Sequence, residues 1–205
     1  MRTLSDTQKA AFILAGFMAT EGAWLILNLL VNARGFFRFT GFVDGHAEPI
    51  GWIVSLAVFI GFTAFATQLP SVQFNLFRLS WLKLLALGMA VAAGFCEEAI
   101  FRKLLMDAMA DRNFGVFAQV LASALAFGAI HGIWGAFRGS LAAAIGATTV
   151  TAVLGVALAL VYLVSHRLLA PCVISHLLIN AFAEPGLVLA AVRGEMGKGQ
   201  PPTAF

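Results

Sequence analysis

Charge is what this chain has least of. Only 11% of its 205 residues are Asp, Glu, Lys or Arg, against about 25% in soluble domains. Hydrophobic residues make up 60% and the mean hydropathy is +0.91. One soluble core cannot hide that much apolar side chain, whereas a bilayer is itself an apolar solvent. Cysteine is nearly absent too. Cys96 and Cys172 both stand in apolar stretches, which excludes a disulfide framework and a CxxC metal pair; each reads as a small core residue. HExxH and GxSxG are missing, and with them the local signatures of a zincin and of an elbow serine nucleophile. No stretch alternates apolar and polar residues as a barrel strand does. No linker, composition shift or repeat divides the chain, so one domain is expected.

What is present is a series of six hydrophobic segments, at 10–33, 50–69, 79–110, 114–137, 141–164 and 168–192. Each approaches or exceeds the roughly 20 residues a helix needs to cross a bilayer. Since only helices and closed barrels span lipid, the expected fold is all-α, a polytopic membrane bundle of about six transmembrane helices. The first segment is longer than the ~7–15-residue core of a cleaved signal and reads as a retained anchor. Turn-rich residues 41–49 follow it, and a breaker cluster at 70–75 follows the second. The fifth is rich in Gly, Ala, Thr and Val, which favours close helix packing. Glu184-Pro185-Gly186 should break the last into a helix and a short tail, and Gly197 to Pro202 reads as a frayed end.

The net charge is +3, but the thirteen Lys and Arg are scattered one or two per connection with no basic stripe. That argues for headgroup anchors and against nucleic acid. Their distribution favours a cytoplasmic N-terminus by a small margin.

In such a chain the informative residues are the polar ones inside apolar segments, because each is costly there. In the third segment Glu98 and Arg102 are four apart, share a helix face and can pair. Glu97 is rotated from them by about 100°, so it points elsewhere with no same-helix cation and is free to act as a base. Helix-end hydration would account for both Glu equally simply. In the fourth segment Phe127 is followed four residues later by His131; alone, that histidine suits an interhelical hydrogen bond. In the sixth, His176 and Asn180 are four apart and offer N–H donors to one point. They would suit a developing oxyanion, or serve as glue between helices. The conjunction says more than the parts, since three helices each bring a polar group to similar depth and buried polar groups need partners. Of the remaining polar groups, Glu21 is expected to pair within the bundle, His46 to be solvated, His166 to be interfacial and Glu184 to stop a helix. Trp24, Trp52, Trp81 and Trp134 read as interface or packing aromatics.

Glu97-Glu98-Ala99-Ile100-Phe101-Arg102, then Phe127 to His131, then His176 to Asn180 resemble the CPBP family of intramembrane peptidases. That family includes the CAAX prenyl endopeptidases and the bacterial abortive infection proteins. Its ordered pattern, EExxxR, FxxxH and HxxxN on successive core helices, is complete here. The resemblance covers 85–182, about half the chain, and leaves the first two helices without a motif. It implies that Glu97 is the general base activating water and that His131 helps to hold it. His176 and Asn180 would form the oxyanion site, Glu98 with Arg102 would brace the helix, and Phe127 would shape the cavity.

The expected function is therefore an intramembrane endopeptidase acting on a membrane-associated peptide or protein, without a cofactor and without nucleic acid. A zinc peptidase using Glu97, His131 and His176 stays open, since those ligand types suit zinc. So does a non-catalytic binding or immunity protein, because family membership does not guarantee activity. The expected organisation is two N-terminal helices over 1–78, a catalytic core over 79–192 and a flexible tail over 193–205. A bacterial inner membrane is the expected home, and the oligomeric state is open.

Overall fold

The structure, a computed structural model, describes residues 4–138 and 140–196; the expected frayed end at 197–202 lies outside the described residues. Described residues are overwhelmingly helical and contain no strand. The helices are α1 (Asp6–Phe39), α2 (Pro49–Ala66), α3 (Pro70–Asn75), α4 (Trp81–Glu98), α5 (Asp107–Ala110), α6 (Val116–His131), α7 (Leu141–Val164), α8 (Ala170–Ala183) and α9 (Gly186–Arg193). A π-helical stretch, Ala99–Met106, joins α4 to α5, and a 3-10 stretch, Gly132–Arg138, follows α6.

Local chemistry sets most of these limits. The Ser5 hydroxyl accepts from the Gln8 N–H at 3.3 Å while the Gln8 amide oxygen accepts from the Ser5 N–H at 2.9 Å, a reciprocal cap that starts α1. α1 kinks at Asn32, whose φ of −161° is non-helical; its side chain then accepts from the Gly35 N–H at 2.9 Å and restarts the helix. Ser80 and Ser140 cap α4 and α7 through Lys83 and Ala143 N–H. Pro49, Pro70 and Pro171 sit in the first turns of their helices, where a missing N–H costs nothing. For the same reason the expected breaker cluster at 70–75 is a short helix: its proline opens a turn. α9 ends at Gly194, which takes φ +74°, a left-handed conformation that glycine adopts without penalty.

Five helices or helix runs are long and apolar enough to cross a membrane, and six if α8 and α9, bent by 56° at residues 184–185, make one broken span. The expected six segments correspond to these. Leu30, Phe117, Leu141 and Val153 are among many large apolar side chains on the outside of the bundle, the first two 80% exposed. Water would not tolerate a continuous apolar exterior of this kind; lipid covers it.

Inside, α1, α4 and α9 share one apolar cluster around Leu14, Met89 and Val188. A second joins the end of α4 to α7 and α8 around Tyr162 and Val173. α6 and α7 approach closely because glycine faces backbone. A Cβ on Gly128 would stand 2.6 Å from the Thr148 carbonyl oxygen, and one on Gly155 2.9 Å from Ala124 Cα. At the far end Glu195 accepts from the Ser71 N–H and hydroxyl at 3.0 and 2.6 Å, tying the chain after α9 to α3.

Candidate active site

A cavity of about 490 Å³ opens between the helices. Glu97, Phe127, His131, His176 and Asn180 all line it, although they come from α4, α6 and α8. The α4 run carries a run of eight π-helical residues just after Glu98, an irregularity common where helices carry function. Glu97 and Glu98 stand at its start and point to different surroundings.

Glu98 is fully buried. Its Oε2 lies 3.1 Å from Arg102 Nε, the ion pair expected from their spacing. Arg102 is also fully buried, donates toward the Gly155 carbonyl at 3.4 Å and lays its guanidinium 4.5 Å from the Phe127 ring centre. The other Glu98 oxygen accepts from His176 Nδ1 at 2.7 Å, a link across helices that the helical spacing did not disclose. Glu98 thus braces its own helix and also orients the histidine of another.

Both histidines are aimed by what their Nδ1 atoms bind. His131 Nδ1 donates to the Phe127 carbonyl at 2.7 Å. His176 Nδ1 faces a carboxylate, which can only accept. Each ring therefore presents Nε2 to the same place, and each Nε2 is 3.9 Å from Glu97 Oε2. That oxygen is buried without a hydrogen-bond donor. Phe127 separates and supports the two rings, 4.6 Å from His131 and 5.7 Å from His176, centre to centre. Asn180 is one turn beyond His176 on α8. His131 closes α6 where the chain passes into the 3-10 stretch, so it stands at a helix end rather than deep within a helix.

Two cavity residues outside the motifs are acidic. Glu184 accepts from the Val188 N–H at 3.1 Å and so caps α9, in keeping with the break expected there. Glu21, on α1, lines the cavity beside Glu97. Its Oε2 is buried without a hydrogen-bond partner among the described residues, and the charged group that acts on it is the Glu97 carboxyl. The polarity of the first helix signalled Glu21; nothing in the sequence named what it meets. His46 is exposed, and exposed His166 lies 3.3 Å from Glu48, as befits connections at the membrane surface.

Glu97, His131 and His176 are ligand types that zinc accepts. Zinc ligands held tetrahedrally at about 2.0–2.2 Å stand about 3.3–3.6 Å from one another, closer than the 3.9 Å between Glu97 and either ring. Among the described residues no group of three or more His, Cys, Asp or Glu is arranged to hold a metal ion.

The fold and cavity define a class: a polytopic helical membrane protein with a carboxylate and two imidazoles gathered on an internal cavity. Residues 79–182 match the type II CAAX prenyl endopeptidase Rce1-like family, and the chain belongs to that family and to the wider CPBP group of membrane proteases. The matched region runs from α4 through α8 and contains all seven motif residues; α1, α2 and α9 lie outside it. No curated protein and no solved structure matches the chain.

Proposed function

We propose that this protein is an intramembrane endopeptidase in which Glu97 activates water for attack on a peptide bond presented at the cavity. The observation that carries this reading is the single Glu97 oxygen facing two imidazole nitrogens at 3.9 Å each. That spacing is too long for direct hydrogen bonds and suits a water seated on the face all three share. Glu97 takes the water proton as general base. His131, its Nδ1–H committed to a backbone carbonyl, offers an Nε2 lone pair that holds the same water.

His176 and Asn180 serve the other side of the reaction. With Nδ1–H given to Glu98, His176 donates from Nε2 only as an imidazolium. That N–H and the Asn180 amide would receive the carbonyl oxygen as it becomes an oxyanion. Glu98 and Arg102 hold the histidine in place, as supporting groups orient a catalytic imidazole elsewhere.

The substrate proposed from the family is an isoprenylated or otherwise membrane-held peptide C-terminus, and the proposed setting is a bacterial inner membrane. A second hollow of about 400 Å³, lined by Val58, Gly61, Val153 and Ala157, lies between α2 and α7. Phe62, Phe65, Val150 and Leu154 line both it and the main cavity. This apolar seam is the proposed way in from the lipid.

The test is cleavage of an isoprenylated CAAX peptide by protein reconstituted in lipid. Glu97→Gln should lose on the order of 10²–10⁴-fold in rate while remaining folded in the membrane. Wild-type rates in that variant would overturn the mechanism. Absence of any cleavage by the wild type, with a cellular phenotype that survives Glu97→Gln, would favour a non-catalytic binding protein.

A further inference from the structure

The motif helices do not supply every polar group on the cavity wall. Glu21 comes from α1, outside the matched region. α1 is turned toward the site by its neighbours on the same face. Phe17, one turn earlier, stacks 5.8 Å from Trp134. Met18 fills the space beside Gly88 of α4, where a Cβ would stand 2.8 Å from its sulfur. With the helix held there, the Glu21 carboxyl lines the same cavity wall as Glu97, and the two carboxyls are close enough to act on each other. Glu21 Oε2 and Glu97 Oε2 are both buried with no donor reaching them.

Among the described residues, the charges around this contact leave Glu21 without a cation. Arg102 is committed to Glu98, and Lys83 donates to the Phe182 and Glu184 carbonyls at 2.9 and 2.6 Å. Cys96 lies near both carboxyls from α4, and of the pair His131 and His176 reach Glu97 and not Glu21. Two ionised carboxylates this close in an apolar wall repel strongly, and one proton between them removes the conflict. A carboxylate alone cannot donate, so a hydrogen bond between the two groups itself requires that proton.

We propose that Glu21 and Glu97 form a carboxyl pair holding one proton, in which Glu21 is the positioning residue that stores and returns it. The proposal rests on the reading of Glu97 as base. In the resting state the pair carries one proton and one negative charge. As water attacks the peptide carbonyl, the new C–O bond forms, the carbonyl π electrons move to oxygen, and the water proton passes to the pair, which becomes neutral. When the tetrahedral adduct collapses, the C–N bond breaks and the pair gives one proton to the departing nitrogen. A carboxylic acid and an amine leave, and the pair regains its single proton. The same economy of two carboxyls and one proton serves aspartic proteases.

The decisive measurement is infrared spectroscopy of the full chain in lipid, with H/D exchange to mark protonated carboxyls. The wild type should show a carboxylic-acid band that Glu21→Gln removes and that Glu97→Gln shifts, because Glu21 then keeps its proton with no carboxylate to receive it. A band unchanged in Glu21→Gln overturns the pair whatever the activity. Kinetics with an isoprenylated CAAX peptide supply the second reading. Glu21→Gln should lower kcat on the order of 10²-fold with KM little changed, and Glu21→Asp should recover part of it. If Glu97→Gln is inactive and Glu21→Gln keeps full kcat, this proposal fails and the base reading stands. If Glu97→Gln is fully active, the base reading fails while the infrared result still decides the pair. Should Glu21→Gln not fold, Glu21→Asp carries the test, and an unshifted band with unchanged kcat overturns the proposal.

Discussion

His176 on α8 donates Nδ1–H to Glu98 at the end of α4 across 2.7 Å. One carboxylate thereby serves two N–H donors, since its other oxygen pairs with Arg102 at 3.1 Å. All three groups are at most 3% exposed. Glu98 is the joint between the brace of one helix and the chemistry of another.

Removing that joint should cost more than activity. Glu98→Ala leaves the Arg102 guanidinium buried without its counter-charge, a change worth about 3–5 kcal/mol in comparable buried pairs. Thermal unfolding in detergent should show a large drop, or the protein should fail to accumulate. A midpoint equal to wild type would show that Arg102 is satisfied without Glu98.

His131→Ala should separate binding from chemistry. The ring touches Glu97's face of the cavity and leans on Phe127, so its loss should lower kcat on the order of 10²-fold and shift the unfolding midpoint little. A variant that cleaves at the wild-type rate would remove His131 from the water site.

Close approach of α6 and α7 depends on two glycines. Gly128→Val would push a side chain into the Thr148 carbonyl and the Ala152 backbone N, at 2.6 and 3.0 Å from the Cβ alone. Overpacking of this kind costs about 1–3 kcal/mol and should also displace Phe127, one residue away. Both stability and activity should fall together; Gly146, with nothing within 4 Å of its Cβ position, should accept Ala with neither change.

Substrate entry between α2 and α7 predicts a different signature. Gly61 lines the apolar seam and its Cβ position is open. Gly61→Trp should fill the seam, raise KM for an isoprenylated peptide several-fold and leave the unfolding midpoint in place. An unchanged KM would direct attention to another entrance.

Metal removal gives the last check. With Glu97 3.9 Å from both imidazoles, cleavage is expected to persist after dialysis against a chelator, and added zinc should not accelerate it. Loss on chelation with recovery on zinc would reverse that expectation.

Much of the site was legible before any fold. Glu98 and Arg102 pair as their four-residue spacing requires. Glu97, His131, His176 and Asn180 do reach one cavity, as the cost of isolated polar groups in lipid suggested. The short helix at 70–75 was less legible, because proline ends one helix and begins another with the same chemistry. Glu21 could be noticed but not assigned, since its polarity names no partner.

The sequence by itself determined the solvent of this protein, the apolar segments long enough to span it and the identity of its costly residues. Those properties follow from side-chain transfer energies and helical period, which are local. Tertiary structure alone decided that His176 leans on Glu98, that His131 and His176 present the same nitrogen to Glu97, and that α1 sets a second carboxyl against it. Such relations depend on how helices distant along the chain are rotated and packed. Glycine faces, aromatic contacts and a π-helical stretch settle those rotations together, and no spacing within one helix records the outcome.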